Sequence, residues 1–303
     1  MKCIDLFAGA GGFTEGATQA GCTVLWAGNH WPLAVDVHQQ NHPFMIHLCQ
    51  DLHQADWTKV PDHDLLLASP SCQGHSAARG KEQPRHDAAR ATAWAVVSAC
   101  EVKRPQTFLV ENVKEFLTWS LYPAWELALK TLGYHITTGI YDAANFGVPQ
   151  NRVRVFVCGN LGNELNLSEP SENLVPASSF IDFGTGSWSP IHKPGRSLQT
   201  LKSIRSGRTR CGLQFLTPFY SAGSGLTGRS LDRPIGTITT KARWLLVDGE
   251  RCRMLTVREI QSAMVFPPSY KLPSRIDQAI HLLGNAVPPP MPKHLIQQIQ
   301  VQL

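Results

Sequence analysis

The stretch "DLLLASPSCQGHS" (64–76) closes an apolar run and then places a cysteine among Pro, Ser, Gln, Gly and His. A structural cysteine normally sits inside an apolar run, where it packs as a small hydrophobe. Cys72 instead follows a predicted strand end, the edge of an open α/β sheet at which ligands bind. A thiol there has the chemistry of a nucleophile, provided it ionises. Two further groups fall at predicted strand ends: Glu111 in "VENV", and Arg152 with Arg154 in "QNRVRVF". Alternation along a strand puts both arginines on one face. Taken singly, Glu111 reads as a helix cap and the arginines as a salt-bridged rim. Taken together, a cysteine, a glutamate and an arginine pair at successive strand ends are harder to dismiss.

A fourth feature is the glycine turn "DLFAGAGGFTEG", which leaves the first strand and enters a helix. Gly9, Gly11 and Gly12 permit a tight turn and close backbone approach, and the helix offers its first amides to a ligand. The spacing is G-x-G-G rather than the dinucleotide G-x-G-x-x-G, and no P-loop lysine follows. A plain strand-to-helix connector would use the same glycines. The second strand ends in "GNHW" and the third in "CQDL", where Asp51 reads equally as a loop cap or as a ligand contact.

The elements that must position these groups alternate. "KCIDLF", "TVLWAG", "DHDLLLAS", "TFLVEN" and "RVRVFVCG" read as buried strands. Helical periodicity lies between them, clearest in "AARATAWAVVSACEVKR" and in "EFLTWSLYPAWELALKTLG", which ends at Gly133. Strand alternating with helix predicts a parallel, doubly wound sheet. The rhythm stops near Asn160, where the chain becomes rich in Ser, Gly and Pro, and helical character returns in "TVREIQSAMVF" and "MPKHLIQQIQVQL".

Composition narrows the class. The 303 residues are 43% hydrophobic and 17% charged, the balance of a globular protein. No apolar run suits a membrane span and the chain opens without a basic-then-apolar leader, so a reducing cytoplasm is the expected compartment. The eight cysteines form no C-x-x-C pair, which argues against a zinc site and a disulfide framework. The net charge of +5 is uneven: residues 184–255 carry twelve Lys/Arg against three acids, and the remainder is mildly acidic. A basic segment on an acidic body predicts a polyanionic partner, with a solvated basic face as the other reading.

The order "DLFAGAGG", "PSCQG", "ENV", "QNRVR" and "GNAVPPPM" resembles the cytosine-C5 DNA methyltransferase family over nearly the whole chain. The resemblance implies a Rossmann-like α/β domain with a doubly wound mixed sheet, binding S-adenosylmethionine. It also implies a small, mostly β and loop target-recognition domain. On that basis residues 1–183, completed by 281–303, form the catalytic domain, 184–255 the recognition domain and 256–283 a returning hinge. The basic segment, found from charge alone, falls where the insertion is expected.

The same resemblance assigns roles. Cytosine C5 is a weak nucleophile, and adding a thiolate at C6 splits one hard step into two easier ones. Cys72 takes that role, Glu111 contacts N3 and the exocyclic amine, Arg154 holds O2, and Arg152 supports the loop or a phosphate. Burial that raised the Glu111 pKa would suit its task. The target base must leave the stack of double-stranded DNA. S-adenosylmethionine is expected against Phe7, Gly9, Ala10, Gly11, Gly12, His30, Trp31, Asp51, Leu52, Pro70, Asn285 and Ala286. DNA is expected against Gln73, Ser76, Arg205, Arg208, Arg210, Arg229 and Thr237, the last within "RPIGTITT", which resembles the motif organising the recognition domain. No metal is called for, and the enzyme is expected to act as a monomer.

Two positions depart from the family pattern. Ser71 stands where a proline usually precedes the nucleophile, which predicts a less rigid loop, and His30 stands where an acidic residue usually holds the ribose. The basic stretch "GHSAARGKEQPRH" after Cys72 reads as a lid or as an exposed loop. The leading function is DNA cytosine methylation, in a restriction-modification, phage-encoded or orphan setting. A tRNA-directed or catalytically silent relative is the alternative, which the large basic insertion and the complete Cys72, Glu111 and Arg154 set disfavour.

Overall fold

The computed structural model describes residues 1–75, 84–171, 173–219 and 228–303. The chain divides into two compact units, one of residues 1–142, 153–171 and 286–303 and one of residues 143–152 and 172–285. Residues 143–152, 172–183 and 281–285, counted with the catalytic domain on sequence, therefore pack within the second unit, and so does the segment 256–283 expected to be a hinge.

The first unit is built on a seven-stranded sheet. Its elements are β1 (Lys2–Leu6), α1 (Gly12–Gln19), β2 (Thr23–Asn29), α2 (Pro32–Asn41), β3 (Ile46–Cys49), β4 (Leu65–Ala68), α3 (Pro84–Ala91), α4 (Trp94–Lys103), β5 (Thr107–Asn112), α5 (Tyr122–Thr131), β6 (His135–Asp142) and β7 (Val153–Asn160). The strand order is β3-β2-β1-β4-β5-β7-β6. The first five run parallel, as alternating strands and helices require, while β7 is antiparallel to both β5 and β6. The sheet is thus mixed and Rossmann-like rather than wholly parallel. Its central strands carry the core: Ile4, Leu6, Leu66, Phe108, Val110, Val155 and Val157 are buried with Trp125 from α5.

Local sequence explains the element ends. The helix expected over 88–104 is broken at Thr92–Ala93, which turn between α3 and α4. The one expected over 115–133 begins only at Tyr122, because Pro123 fits the first turn of a helix and not its interior. It ends with Gly133 at φ +93°, a conformation in which glycine carries no steric penalty. β6 escaped the sequence reading because it is a partly exposed edge strand without an apolar run.

The second unit holds β8 (Ser189–Pro190), α6 (Leu198–Cys211), β9 (Gln214–Pro218), β10 (Arg229–Ser230), β11 (Trp244–Asp248), β12 (Arg251–Met254), α7 (Val257–Ala263) and α8 (Ile276–Asn285). Its five strands form an antiparallel sheet, β10-β9-β11-β12-β8. Ile191, Ile204, Phe215, Leu245, Val247 and Cys252 make its core. Helix α6 was not expected: the basic segment was read as strand and loop. Gly207 in its middle is a poor helix former, yet an added Cβ there would lie 2.2 Å from the Phe215 ring, so close packing on β9 selects glycine. Helix α7 starts with a capping box between Thr256 and Glu259. The chain ends in α9 (Pro290–Gln302), which packs on α1 within the first unit. No helix among the described residues is long and apolar enough to cross a membrane.

Candidate active site

The carboxyl ends of β4 and β5 lie side by side in the sheet, and each delivers one candidate group. The chain leaves β4 at Ala68 and forms the turn that carries Cys72, while β5 ends in Glu111 and Asn112. Because β7 runs antiparallel, its first residues sit beside the last residues of β5, with Val155 opposite Asn112 and Phe156 opposite Glu111. That reversal brings Arg154 to the edge that holds Glu111. The Arg154 Nε lies 3.0 Å from Glu111 Oε1, with the side chains only 12% and 8% exposed. This is a nearly buried, charge-assisted contact. Arg154 Nη1 also donates to the Val153 carbonyl at 2.7 Å.

The Cys72 turn is held by several side chains. Asn112 Nδ2 donates to the Pro70 carbonyl (3.1 Å), and the Asn112 Oδ1 accepts from the Val113 amide (2.8 Å). The Ser71 amide donates to Thr92 Oγ1 at 3.0 Å. Arg90 Nη1 reaches the Gly74 carbonyl at 2.8 Å, and the His75 amide donates to the Cys72 carbonyl at 3.0 Å. The His75 ring meets Phe116 and Trp119 edge-on. Cys72 is half-buried, Gln73 exposed, and Pro70 buried.

Arg152 is placed differently from the expectation. It lies one residue before β7, its carbonyl accepting from the Ala143 amide at 3.1 Å, and its side chain has partners other than those of Arg154. It belongs to the second unit and is buried, donating from Nη1 to the Ile238 carbonyl and from Nη2 to the Gly284 carbonyl, both at 3.0 Å. These contacts tie two backbone segments of the second unit to the chain at Arg152.

The glycine turn is built for close approach. Phe7, Gly9 and Gly11 have φ of 61°, 56° and 81°, and the non-glycine Phe7 in that region is strained. Gly11, the N-cap of α1, has no side chain to cap the helix, and of the first-turn amides that of Thr14 is taken by the Asp5 carboxyl on β1. A Cβ on Gly12 would lie 1.9 Å from the Val287 carbonyl oxygen, whereas one on Gly9 would meet nothing nearer than 3.7 Å. Gly12 is therefore fixed by packing, whereas Gly9 is favoured by its φ of +56°. At the neighbouring strand ends Asn29 Oδ1 accepts from the Trp31 amide, and Asp51 Oδ1 accepts from the His53 amide as a cap. Leu52 and Ala10 are buried, Trp31 is half-buried, and His30 and Asp51 are exposed. Asn285, exposed, ends α8 in the second unit, and the buried Ala286 opens the last segment of the first.

Beneath this turn lies a buried polar chain with no counterpart in the sequence reading. Asp5 on β1 accepts from the Thr14 amide (3.1 Å) and hydroxyl (2.8 Å) on α1. Thr14 Oγ1 is 3.1 Å from His38 Nε2, and His38 Nδ1 is 2.9 Å from His47 Nε2. Since Thr14 donates to Asp5, its oxygen accepts from His38 Nε2–H, which leaves His38 Nδ1 to accept from His47. Burial pushes the Asp5 carboxyl up to about 7, opposed by the Thr14 hydrogen bonds. Burial also lowers His38 well below the usual range and His42 to about 4, helped by neighbouring histidines. No group of three or more His, Cys, Asp or Glu among the described residues is arranged to hold a metal ion.

In the second unit the candidate arginines separate. Arg205 and Arg210 are exposed on α6, with Lys202 also exposed one turn before Arg205. Arg208 is engaged by Glu250 (2.9 Å) and the Gly249 carbonyl, and Arg229 lies 5.9 Å above the Trp244 ring. The Thr237 hydroxyl donates to the Asn151 carbonyl at 2.9 Å. Ser76, residues 76–83 of the stretch read as a lid, and residues 220–227 of the recognition segment lie outside the described residues.

A mixed seven-stranded sheet whose parallel edge gathers a cysteine, a glutamate and a glycine-rich turn, joined to an antiparallel unit, defines a Rossmann-like methyltransferase architecture. The chain belongs to the C-5 cytosine-specific DNA methylase family, whose model matches residues 1–182 and 195–301, and it is accordingly a DNA (cytosine-5)-methyltransferase. It is 28% identical over 317 residues to the type II methyltransferase M.NlaX of Neisseria lactamica, covering 100% of this chain and 97% of that protein. It is 28% identical over 305 residues to M.HhaI of Haemophilus parahaemolyticus, covering 95% and 90%. The fold is similar to the crystal structure of a Spodoptera frugiperda DNMT2 mutant, with a TM-score of 0.72 and 17% identity over 99% of both chains.

Proposed function

We propose that this protein transfers a methyl group from S-adenosylmethionine to C5 of a cytosine flipped out of a short double-stranded DNA sequence, through a covalent bond between Cys72 and C6. The observation that carries this reading is the Glu111–Arg154 contact of 3.0 Å at the strand edge that also receives the Cys72 turn. A nucleophile needs an acid and a charge acceptor on the ring it attacks, and the antiparallel β7 supplies the second beside the first.

The Cys72 thiolate adds to C6, and the electrons displaced from the C5–C6 bond are drawn toward N3 and O2. Glu111 shares a proton with N3, and Arg154 offers guanidinium hydrogens to O2 as negative charge develops there. S-adenosylmethionine, when bound, supplies an electrophilic methyl group on a sulfonium. Phe7, Gly9, Ala10, Gly11 and Gly12 would hold its amino-acid part, with His30, Trp31, Asp51 and Leu52 toward the nucleoside. After methylation C5 loses its proton to a base and the Cys72 thiolate departs, restoring aromaticity and the enzyme. Arg205 and Arg210 are the first candidates for DNA contact, because Arg208 and Arg229 are already engaged within the unit.

Bisulfite sequencing of DNA from a host expressing the chain tests this reading. Wild type should protect one cytosine within a fixed short sequence, and Cys72→Ser should protect none. Protection by the Cys72→Ser enzyme, or none by wild type under conditions where it is folded, would overturn it.

A further inference from the structure

We propose that Thr92 is a positioning residue for the nucleophile, locking the Pro70–Ser71 peptide plane one residue ahead of Cys72. The proposal rests on Cys72 being the nucleophile. Ser71 was expected to loosen this turn, and the geometry shows how the turn is held instead. The peptide unit joining Pro70 to Ser71 has two polar groups, and each has a dedicated side-chain partner. Asn112 Nδ2 on β5 donates to its carbonyl at 3.1 Å, and its N–H donates to Thr92 Oγ1 at 3.0 Å. A peptide plane held at both ends cannot rotate without breaking one of the two bonds, so the direction in which the chain enters Ser71, next to Cys72, is set.

Both anchors are themselves fixed. Asn112 Oδ1 is occupied by the Val113 amide at 2.8 Å, which sets the orientation of the side-chain amide. The Thr92 hydroxyl donates its hydrogen to the Ala89 carbonyl at 2.7 Å, so a lone pair is left for Ser71. Thr92 sits in the turn between α3 and α4, and its carbonyl accepts from the Ala95 amide at 3.2 Å. Ala93, Ala95 and Val96 immediately beyond it are buried in the core of the unit. The break in the helical run therefore places a hydroxyl against the Cys72 turn, where an unbroken helix would have used only its own backbone. A proline at 71 would have no N–H to offer, so the Thr92 contact requires a residue other than proline there.

The test uses the full chain and two readouts: the rate of covalent trapping on DNA containing 5-fluorocytosine, and the DNA KM. Thr92→Val keeps shape and removes the acceptor. It should slow trapping by roughly ten- to a hundred-fold, the scale of a small misplacement of a reacting group, with the KM unchanged. Thr92→Ser restores the oxygen and should recover most of the rate. In a Ser71→Pro background, where the donor is absent, Thr92→Val should add no further loss. Trapping by Thr92→Val at the wild-type rate, a Thr92→Ser enzyme as slow as Thr92→Val, or the same loss in both backgrounds would overturn the proposal. Failure of the nucleophile reading is distinct: Cys72→Ser would then trap, whatever Thr92 does.

Discussion

Glu111→Gln separates a reacting carboxyl from a structural ion pair. The substitution keeps the volume, replaces one carboxylate oxygen by an amide NH2, and removes the charge facing Arg154 Nε at 3.0 Å. Arg154 stays charged opposite the amide, so the contact remains a hydrogen bond to a charged group, worth roughly 1.5–3 kcal/mol, and the folded state should lose less than about 3 kcal/mol. A general acid–base group contributes about 10²–10⁴ in rate, equivalent to roughly 3–5 kcal/mol of barrier. The rate should therefore fall by more than the stability change explains. Single-turnover methyl transfer from a radiolabelled donor gives the first quantity, and urea unfolding of the same preparation gives the second. A Glu111→Gln enzyme with a normal rate and a lowered unfolding midpoint would refute the reasoning and leave Glu111 as a partner for Arg154 only. Arg154→Ala is the less clean probe, because it strands a buried carboxylate, at a typical cost of about 3–5 kcal/mol.

Three further outcomes are expected. Asp5, raised to about 7 by burial, is protonated in the folded chain at a pH where the unfolded carboxyl is ionised, so its favourable contribution declines from pH 4 to 7 by roughly 4 kcal/mol. His38 and His42 are lowered, so their contribution is instead lost as pH falls below about 6.5. The melting temperature of Asp5→Asn relative to wild type should therefore climb between pH 4 and 7 and level off above; a constant difference would contradict the assignment. Arg205→Ala and Arg210→Ala should each reduce the salt slope of DNA binding by about one phosphate equivalent. Arg208→Ala, whose side chain is taken by Glu250 and Gly249, should leave the slope unchanged, and equal effects at Arg205 and Arg208 would remove the distinction. Asp51→Ala should weaken S-adenosylmethionine binding in calorimetry several-fold, consistent with one lost hydrogen bond, and unchanged affinity would exclude Asp51 from the site.

The parts of this arrangement that were legible in the sequence are those written locally. Cys72 and Glu111 follow apolar runs, so their strand-end positions could be read residue by residue, and the glycines between β1 and α1 announce a turn. Direction was not legible, since "RVRVFVCG" has the same pattern whichever way it runs. Arg154 reaches Glu111 only because β7 is antiparallel, and Arg152 falls outside the strand altogether. Edge strand β6 was hidden because it has no apolar run, and helix α6 because packing on β9, not apolar periodicity, selects Gly207. Thr92, Asn112 and Asp5 act through side-chain hydrogen bonds to a neighbouring turn or helix, and no spacing in the chain signals such partners.

The most direct measurement of the central claim is mass spectrometry of the chain incubated with S-adenosylmethionine and duplex DNA carrying 5-fluorocytosine at the methylated position. Fluorine cannot leave C5 as a proton does, so the elimination that frees the thiolate is blocked. The account predicts a stoichiometric protein–DNA adduct that carries one added methyl group, maps to the peptide containing Cys72, and is absent from Cys72→Ser. An adduct on another residue, or methyl transfer to unmodified DNA with no adduct formed on the fluorinated duplex, would contradict it.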